Sequence, residues 1–420
     1  MKNSQKIGFL GALLLIVSCS TKKDAFLNRN YNALTTQYNI LYNGGVAFNE
    51  GLQEINASYE DDFFELLPIE PLTFKNKKFR LPKLSSSSSN KPGKGFQESP
   101  EQEESLTPFD IAEQKAVKAI QKHSMNIYGK ERNKKIDDAY LLLGKSRYYT
   151  ERFIPAIDAY NYIIANYPNA SLINETKIWR AKAHIRIENE ELAIETMEIL
   201  LRKPELPDFI REEANTTLAM AYTKMDSVQR VRKYLWEATK TSKNTIQKAR
   251  NLFVLGQLYG LDKIKDTASM VFQKLINFKQ APYKYKIYAA IELAKNSVSD
   301  SSSTAILERY RKLIKNRDNR PYLDGVYYQV AVLEQERDSI NDAILNYNKS
   351  LRAVNGGAKQ KTYSYEKLAN LYFKDLDYVT AGAYYDSILQ VAKNKQTLRI
   401  KRIERRAKNL KSLTKYEEIL

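Results

Sequence analysis

This chain offers one thiol and two imidazoles for nucleophilic or metal chemistry: Cys19, His123 and His184. Both histidines fall on apolar helical faces, with no second His or Cys at ligand spacing, so both are expected to pack and no metal is expected. The paired acids Asp61-Asp62 and Glu190-Glu191 read as ordinary surface or loop residues, because carboxylates without a fixed geometry carry no acid–base signal. No glycine-rich phosphate loop is found. The chain is expected to be non-enzymatic, with no cofactor and no small-molecule substrate. The remaining chemistry is that of Cys19. Lys2 and Lys6 precede an apolar run from Ile7 to Val17, which is too short to span a bilayer and fits the core of a secretory signal.

The residues Ile16-Val17-Ser18-Cys19 resemble a bacterial lipobox. The resemblance implies that residues 1–18 are a lipoprotein signal peptide and that Cys19 becomes the acylated N-terminus. Several acyl chains hold a membrane stably where one would not. Ser20-Thr21 brings no acid after the cysteine, so the expected location is the outer membrane, lipid-anchored on its periplasmic face. The formal charge is +18, and residues 1–18 carry two Lys and no acid, so the mature chain has 18 − 2 = +16. Such a charge often meets nucleic acid, but export argues against that partner. Lipid head groups, acidic cell-wall material or an acidic protein face are the expected counterparts.

The scaffold is legible in a repeat. Residues 136–170 read IDDAYLLLGKSRYYTERFIPAIDAYNYIIANYPNA. Tyr140, Leu143, Gly144, Ala156, Tyr160 and Pro168 fill the slots of a pattern that resembles the tetratricopeptide repeat, a pair of antiparallel helices. Small residues suit the place where the two helices cross closely. The second small slot recurs as Ala156, Ala193, Val231, Ala268, Ile306, Ala343 and Ala381, in alternating steps of 37 and 38 residues. Twelve residues before each lies Gly144, Ala181, Ala219, Gly256, Ala294, Ala331 or Ala369. Four after each lies Tyr160, Met197, Leu235, Phe272, Tyr310, Tyr347 or Tyr385. The expected fold is all-α: a tetratricopeptide-repeat right-handed helical solenoid of about seven hairpins, with a disordered insertion near the N-terminus.

The flanks follow from composition. Residues 19–65 are expected to hold the lipid anchor and a helical hairpin. Tyr31, Leu34, Tyr38, Leu41 and Tyr42 form one stripe, Gly44-Gly45 a break, and Phe48, Leu52 and Ile55 a second stripe. Residues 66–108 lose all periodicity and are rich in Pro, Ser and charge, so they read as a disordered low-complexity insertion. Thr107, Pro108 and Asp110 form a helix-start signal, and Ala119 falls one period before Ala156. The solenoid then occupies 109–397. A basic C-terminal helix, 398–420, could line one face with Leu398, Ile400, Ile403, Leu410 and Leu413 and serve as an end cap or bind a partner.

Stacked hairpins leave a concave face lined by the first helix of each repeat. On the grid it takes Leu141, Lys145, Tyr148, Ile178, Lys182, Ile185, Phe253, Gln257, Tyr328, Val332, Asn370 and Phe373. Aromatic and Lys side chains together suit an extended peptide or a partner helix, unless some of them pack between repeats.

The lipobox is followed by FLNRNYNALTTQYNILYNGGVAFNEGL (26–52) and, after the variable stretch, by KAIQKHSMNIYGKERNKKIDDAYLLLGKSRYY (118–149). In this order these stretches resemble the SprE/PorW lipoproteins of the type IX secretion and gliding motility machinery. The resemblance covers most of the chain. It implies a periplasm-facing outer-membrane scaffold that links the inner-membrane motor to the secretion apparatus, with other proteins of that machinery as partners. Members usually continue beyond the repeats, so this chain is expected to be a fragment or a short relative. The alternatives are an accessory lipoprotein for outer-membrane barrel assembly and a regulator of a cell-wall enzyme.

Overall fold

The computed structural model describes residues 20–72, 106–296, 302–354 and 356–417. Cys19 and residues 73–105 of the expected insertion lie outside them. The chain forms two compact units. The first contains the residues up to Tyr59 together with Glu70–Ser227; the second contains Glu60–Ile69 and Val228–Leu420. Each is a helical-repeat array, and the fold is the all-α tetratricopeptide-type solenoid that the repeat spacing implies.

In the first unit, α1 (Phe26–Thr35) runs through a π-helical stretch (Thr36–Leu41) into α2 (Tyr42–Ser58). After α3 (Pro108–His123) a short β-hairpin pairs β1 (Asn126–Ile127) with β2 (Lys130–Glu131). The repeats α4 (Ile136–Tyr149), α5 (Phe153–Asn166), α6 (Ile173–Arg186), α7 (Glu190–Leu201) and α8 (Asp208–Lys224) follow. The second unit has α9 (Val228–Ala238), α10 (Thr245–Leu261), α11 (Lys265–Asn277), α12 (Tyr283–Asn296) and α13 (Ser303–Lys315). It continues through α14 (Leu323–Glu336), α15 (Ile340–Arg352), α16 (Ala358–Lys374) and α17 (Tyr378–Val391) to α18 (Leu398–Glu417).

The repeat grid is the core. Every side chain in the three recurring slots is buried. Gly144 shows why the first slot is small. A Cβ there would sit 2.3 Å from the Tyr160 ring, and one at Gly256 would sit 2.5 Å from Phe272. The aromatic of the second helix therefore rests on the backbone of the first, and any side chain beneath it would push the hairpin open.

The hairpin turns follow a rule the sequence hides. Glu151, Glu188, Asp226, Lys263, Asp338 and Leu376 all have left-handed backbone, with φ between 52° and 63°. Each lies seven residues after the small slot. Each is closed by a bond from the next N–H to the carbonyl five residues back, such as Arg152 to Arg147 (2.8 Å) and Asp377 to Tyr372 (3.0 Å). This is a Schellman ending, normally signalled by glycine.

Three expectations change. The hairpin proposed for residues 19–65 is one continuous helical stretch, and Gly44-Gly45 does not break it. Gly44 serves close packing instead: a Cβ there would lie 2.8 Å from Leu142 and 3.1 Å from Lys115. The insertion cannot begin at 66, because Leu67 and Ile69 are buried. In α18, Ile400, Ile403, Ala407 and Leu410 pack in one cluster with Ala381, Tyr385 and Ile388 of α17. Leu398, two residues before Ile400 and so about 200° round the helix, is exposed. The Leu413 side chain lies outside the described residues. The helix covers the apolar face of α17. At the start of α3, Thr107 caps and Pro108 stands first in the helix as expected, and Asp110 reaches back to Thr107 to complete a reciprocal capping box.

Candidate functional site

The first helices of the repeats in the second unit are α10, α12, α14 and α16. Their inward side chains surround Glu60–Ile69, a non-helical segment of sequence EDDFFELLPI. A turn shapes the segment: the Asp62 carbonyl accepts from Glu65 N–H (3.1 Å), and its carboxylate accepts from Phe64 N–H (3.3 Å).

Side chains of the helices hold the segment's backbone. Gln257 of α10 accepts from Leu67 N–H (3.0 Å) and donates to the Glu65 carbonyl (2.8 Å). Gln247 donates to the Ile69 carbonyl (2.9 Å), Arg250 to the Pro68 carbonyl (3.0 Å) and Lys359 to the Glu60 carbonyl (2.7 Å). Aromatic rings hold the apolar side chains. Phe63 stacks on Tyr288 with centroids 3.9 Å apart and meets Phe253 edge-on at 5.1 Å. Phe64 lies 4.9 Å from Tyr328 and 5.3 Å from Tyr363. These are the contacts by which extended peptides are held: backbone bonds for affinity, pockets for specificity.

The electrostatic centre is Asp61, whose side chain is 2% exposed. Its carboxylate pairs with Arg250 (2.5 Å) and Lys284 (2.9 Å) and accepts from Tyr285 Oη (3.3 Å). Burial pushes this carboxyl up, but Arg250 and Lys284 outweigh burial and hold it below its ordinary value. Asp62 goes the other way. Burial raises it against the hydrogen bond from Tyr363 (2.8 Å). The pair is thus no surface feature, contrary to the expectation from sequence. A buried carboxylate is tolerated here because two cations and a hydroxyl replace its water.

The first unit has a related arrangement. The Glu70 carboxylate accepts from Tyr148 Oη (2.8 Å), pairs with Arg186 and lies 4.0 Å from Lys182. Burial would lower the Lys182 ammonium, but Glu213 and Glu70 together raise it. Leu72 packs against the Leu141 and Tyr148 cluster.

The expected groove residues therefore separate by place. Phe253, Gln257 and Tyr328 touch Glu60–Ile69; Tyr148 and Lys182 touch Glu70. Leu141, Ile178 and Ile185 are buried in the core. Lys145 pairs with Glu175 of the next hairpin and lies over Trp179. Val332 is packed against the Tyr328 cluster, and Asn370 accepts from Tyr385 Oη (2.8 Å). Phe373 is exposed. The residues missed were Gln247, Arg250, Lys284, Tyr285, Tyr288, Lys359 and Tyr363, and above all the segment itself. A signal existed: Phe63, Phe64, Leu66, Leu67 and Ile69 crowd into a stretch with four acids in a strongly basic chain.

A second buried polar cluster joins α1 to α3. The Asn32 Oδ1 lies 2.9 Å from His123 Nδ1, and Asn133 donates to Thr36 Oγ1 (3.0 Å) and to the His123 carbonyl (2.9 Å). Asn28 donates to the Ser20 carbonyl (2.8 Å). His123 is thus a hydrogen-bonding residue rather than only a packing one, and burial with Lys122 and Lys118 nearby lowers its imidazolium. Among the described residues no group of three or more His, Cys, Asp or Glu is placed to hold a metal, and no helix is long and apolar enough to cross a membrane.

No protein-family model matches this chain, and no curated protein does. Solved structures similar to it include the human IFIT1 dimer with PPP-AAAA, at 13% identity and TM-score 0.37, covering 72% of this chain and 68% of that one. The same dimer with m7Gppp-AAAA matches equally. The TPR2AB-domain:pHSP90 complex of yeast Sti1 matches at 17% identity and TM-score 0.26, covering 66% of this chain and 97% of that one.

Proposed function

We propose that this chain is a non-enzymatic, protein-binding scaffold, anchored to the periplasmic face of the outer membrane through acylated Cys19. It serves the type IX secretion and gliding motility machinery, where it links motor and secretion apparatus. The lipobox supports the anchor. The machinery is supported by the two stretches that resemble the SprE/PorW lipoproteins, residues 26–52 and 118–149.

One observation carries this reading. The two stretches, separated in sequence by the variable region, meet in a single buried polar network of Asn32, His123, Asn133 and Thr36. Buried polar groups require specific partners, so residues from the two stretches depend on one another.

The test is a deletion strain assayed for cargo at the cell surface, with outer-membrane barrel proteins profiled in the same culture. Trapped cargo with intact barrels is expected. Normal cargo with depleted barrels would favour the barrel-assembly reading instead.

A further inference from the structure

The first half of the helical stretch α1–α2 is inverted. There the inward face carries Asn28, Asn32 and Thr36, all buried, and it continues in Ile40, Gly44 and Ala47. Its outward face carries Leu27 (65% exposed), Tyr31, Leu34 (55%), Tyr38 (63%), Tyr42 (63%) and Val46. A helix in water would place these sets the other way round. Between residues 26 and 49 the only charged side chain is Arg29, although 28% of the whole chain is charged. An exposed apolar stripe of this kind, without charge, marks a contact with something other than water.

We propose that this face lies in the head-group layer of the membrane that holds the acylated Cys19, an inference that rests on the anchor reading above. Three observations select lipid as the occupant. First, the tether has almost no length. The Ser20 carbonyl is bonded to buried Asn28, and Asp24 pairs with Arg29 (3.5 Å) and Arg132 (3.2 Å). Adjacent α-carbons are about 3.8 Å apart, so an acylated Cys19 brings the start of α1 to the bilayer surface. Second, the side chains suit that depth. Tyrosine buries a ring and keeps its hydroxyl wet, as at membrane interfaces. The exposed Asn30, Asn39, Asn43 and Asn49 lie among them without charge. Third, Lys22, Lys23 and Arg29 flank the face and attract anionic head groups.

The π-helical stretch fits this design. Inward residues recur every four positions from Asn28 through Asn32, Thr36 and Ile40 to Gly44. At 3.6 residues per turn such a pattern drifts by about 40° per step. A wider turn at Thr36–Leu41 takes up part of the drift and keeps Leu34, Tyr38 and Tyr42 on one side.

The test uses the full mature chain with Cys19→Ala, so that no acyl chain contributes. It is floated with vesicles of phosphatidylethanolamine and phosphatidylglycerol. The unacylated chain is expected to float. The triple variant Leu34→Glu, Tyr38→Glu, Tyr42→Glu is expected to lose binding about tenfold or more with unchanged melting, because its positions are exposed. Ile154→Glu, at another exposed apolar site, should bind as the parent does. The proposal is overturned if the unacylated chain ignores vesicles or if the triple variant binds equally. It is also overturned if the parent is a dimer that the triple variant dissociates, which would make the occupant a second copy. Labelled palmitate on the native chain, absent from Cys19→Ala, reports the anchor separately. Its failure sinks the anchor reading, whereas a labelled chain whose face ignores vesicles sinks only this inference.

Discussion

The groove of the second unit presents Phe253, Tyr285, Tyr288, Tyr328 and Tyr363, and the outward face of α1 and α2 presents Tyr31, Leu34, Tyr38 and Tyr42. Both are rich in rings and poor in acid. The groove is covered by the chain's own Glu60–Ile69, which supplies rings for the rings and Asp61 for Arg250 and Lys284. Nothing described covers the other face. The difference teaches that a tyrosine-rich surface is not by itself a docking site. A groove that its own chain occupies at high effective concentration opens to a partner only when the partner outcompetes a tethered ligand. A bare face pays no such cost.

The covered face breaks most readily at Asp61. Asp61→Ala leaves the Arg250 guanidinium buried without its carboxylate, and a loss of about 3–5 kcal/mol in a urea melt is expected. A loss below 1 kcal/mol would mean that the segment rests on the groove rather than completing it. The pH dependence sharpens this. The folded Asp61 carboxyl titrates below its unfolded value of about 3.9. Its contribution is therefore fully present above that pH and is lost as pH falls through the folded value. The stability gap between parent and Asp61→Asn should be widest near neutrality and narrow on acidification below about pH 4. Asp62, raised by burial, works in the opposite sense and favours the fold when protonated.

Beneath the covered face, Gly256→Leu must displace the Phe272 ring, and Gly144→Leu the Tyr160 ring. Each is expected to cost about 1–3 kcal/mol or somewhat more through overpacking, read as a lowered melting temperature. Unchanged melting would remove the physical basis of the repeat register.

The bare face predicts an inverted pattern of sensitivity. Asn32→Ala strands the buried partners of its side chain and should cost about 1–3 kcal/mol. Tyr38→Ser, at a large apolar ring, should change stability by less than about 0.5 kcal/mol. If the tyrosine is the more costly, that face is already covered within the folded chain and the contrast with the groove disappears. A further small effect, of stabilising sign, belongs to neither face. Leu376→Gly relieves a left-handed backbone in the last hairpin turn and should stabilise by about 0.5–1 kcal/mol, after the entropy of glycine is subtracted.

Much of this was written in residue spacing. The steps from Gly144 to Ala369 and from Tyr160 to Tyr385 determined the hairpins, because a helix crossing demands one small residue and one large at fixed separations, a purely local requirement. The capping box at Thr107 and the cap stripe of Ile400 and Ile403 are local in the same way. The left-handed turns at Glu151 or Leu376 left no trace, since hairpin packing imposes that backbone on residues that would not choose it. Gly44-Gly45 read as a break because a glycine that ends a helix and one that lets a neighbour approach look alike until the neighbour is placed. The destination of Glu60–Ile69 was decided by tertiary structure alone. Asp61 meets Arg250 across nearly two hundred residues, and no periodicity records a partner at that distance. Nor does spacing say which stripe of α1 faces inward. The partners His123 and Asn133 settle it, by satisfying the asparagines that hydrophobicity would have turned to solvent.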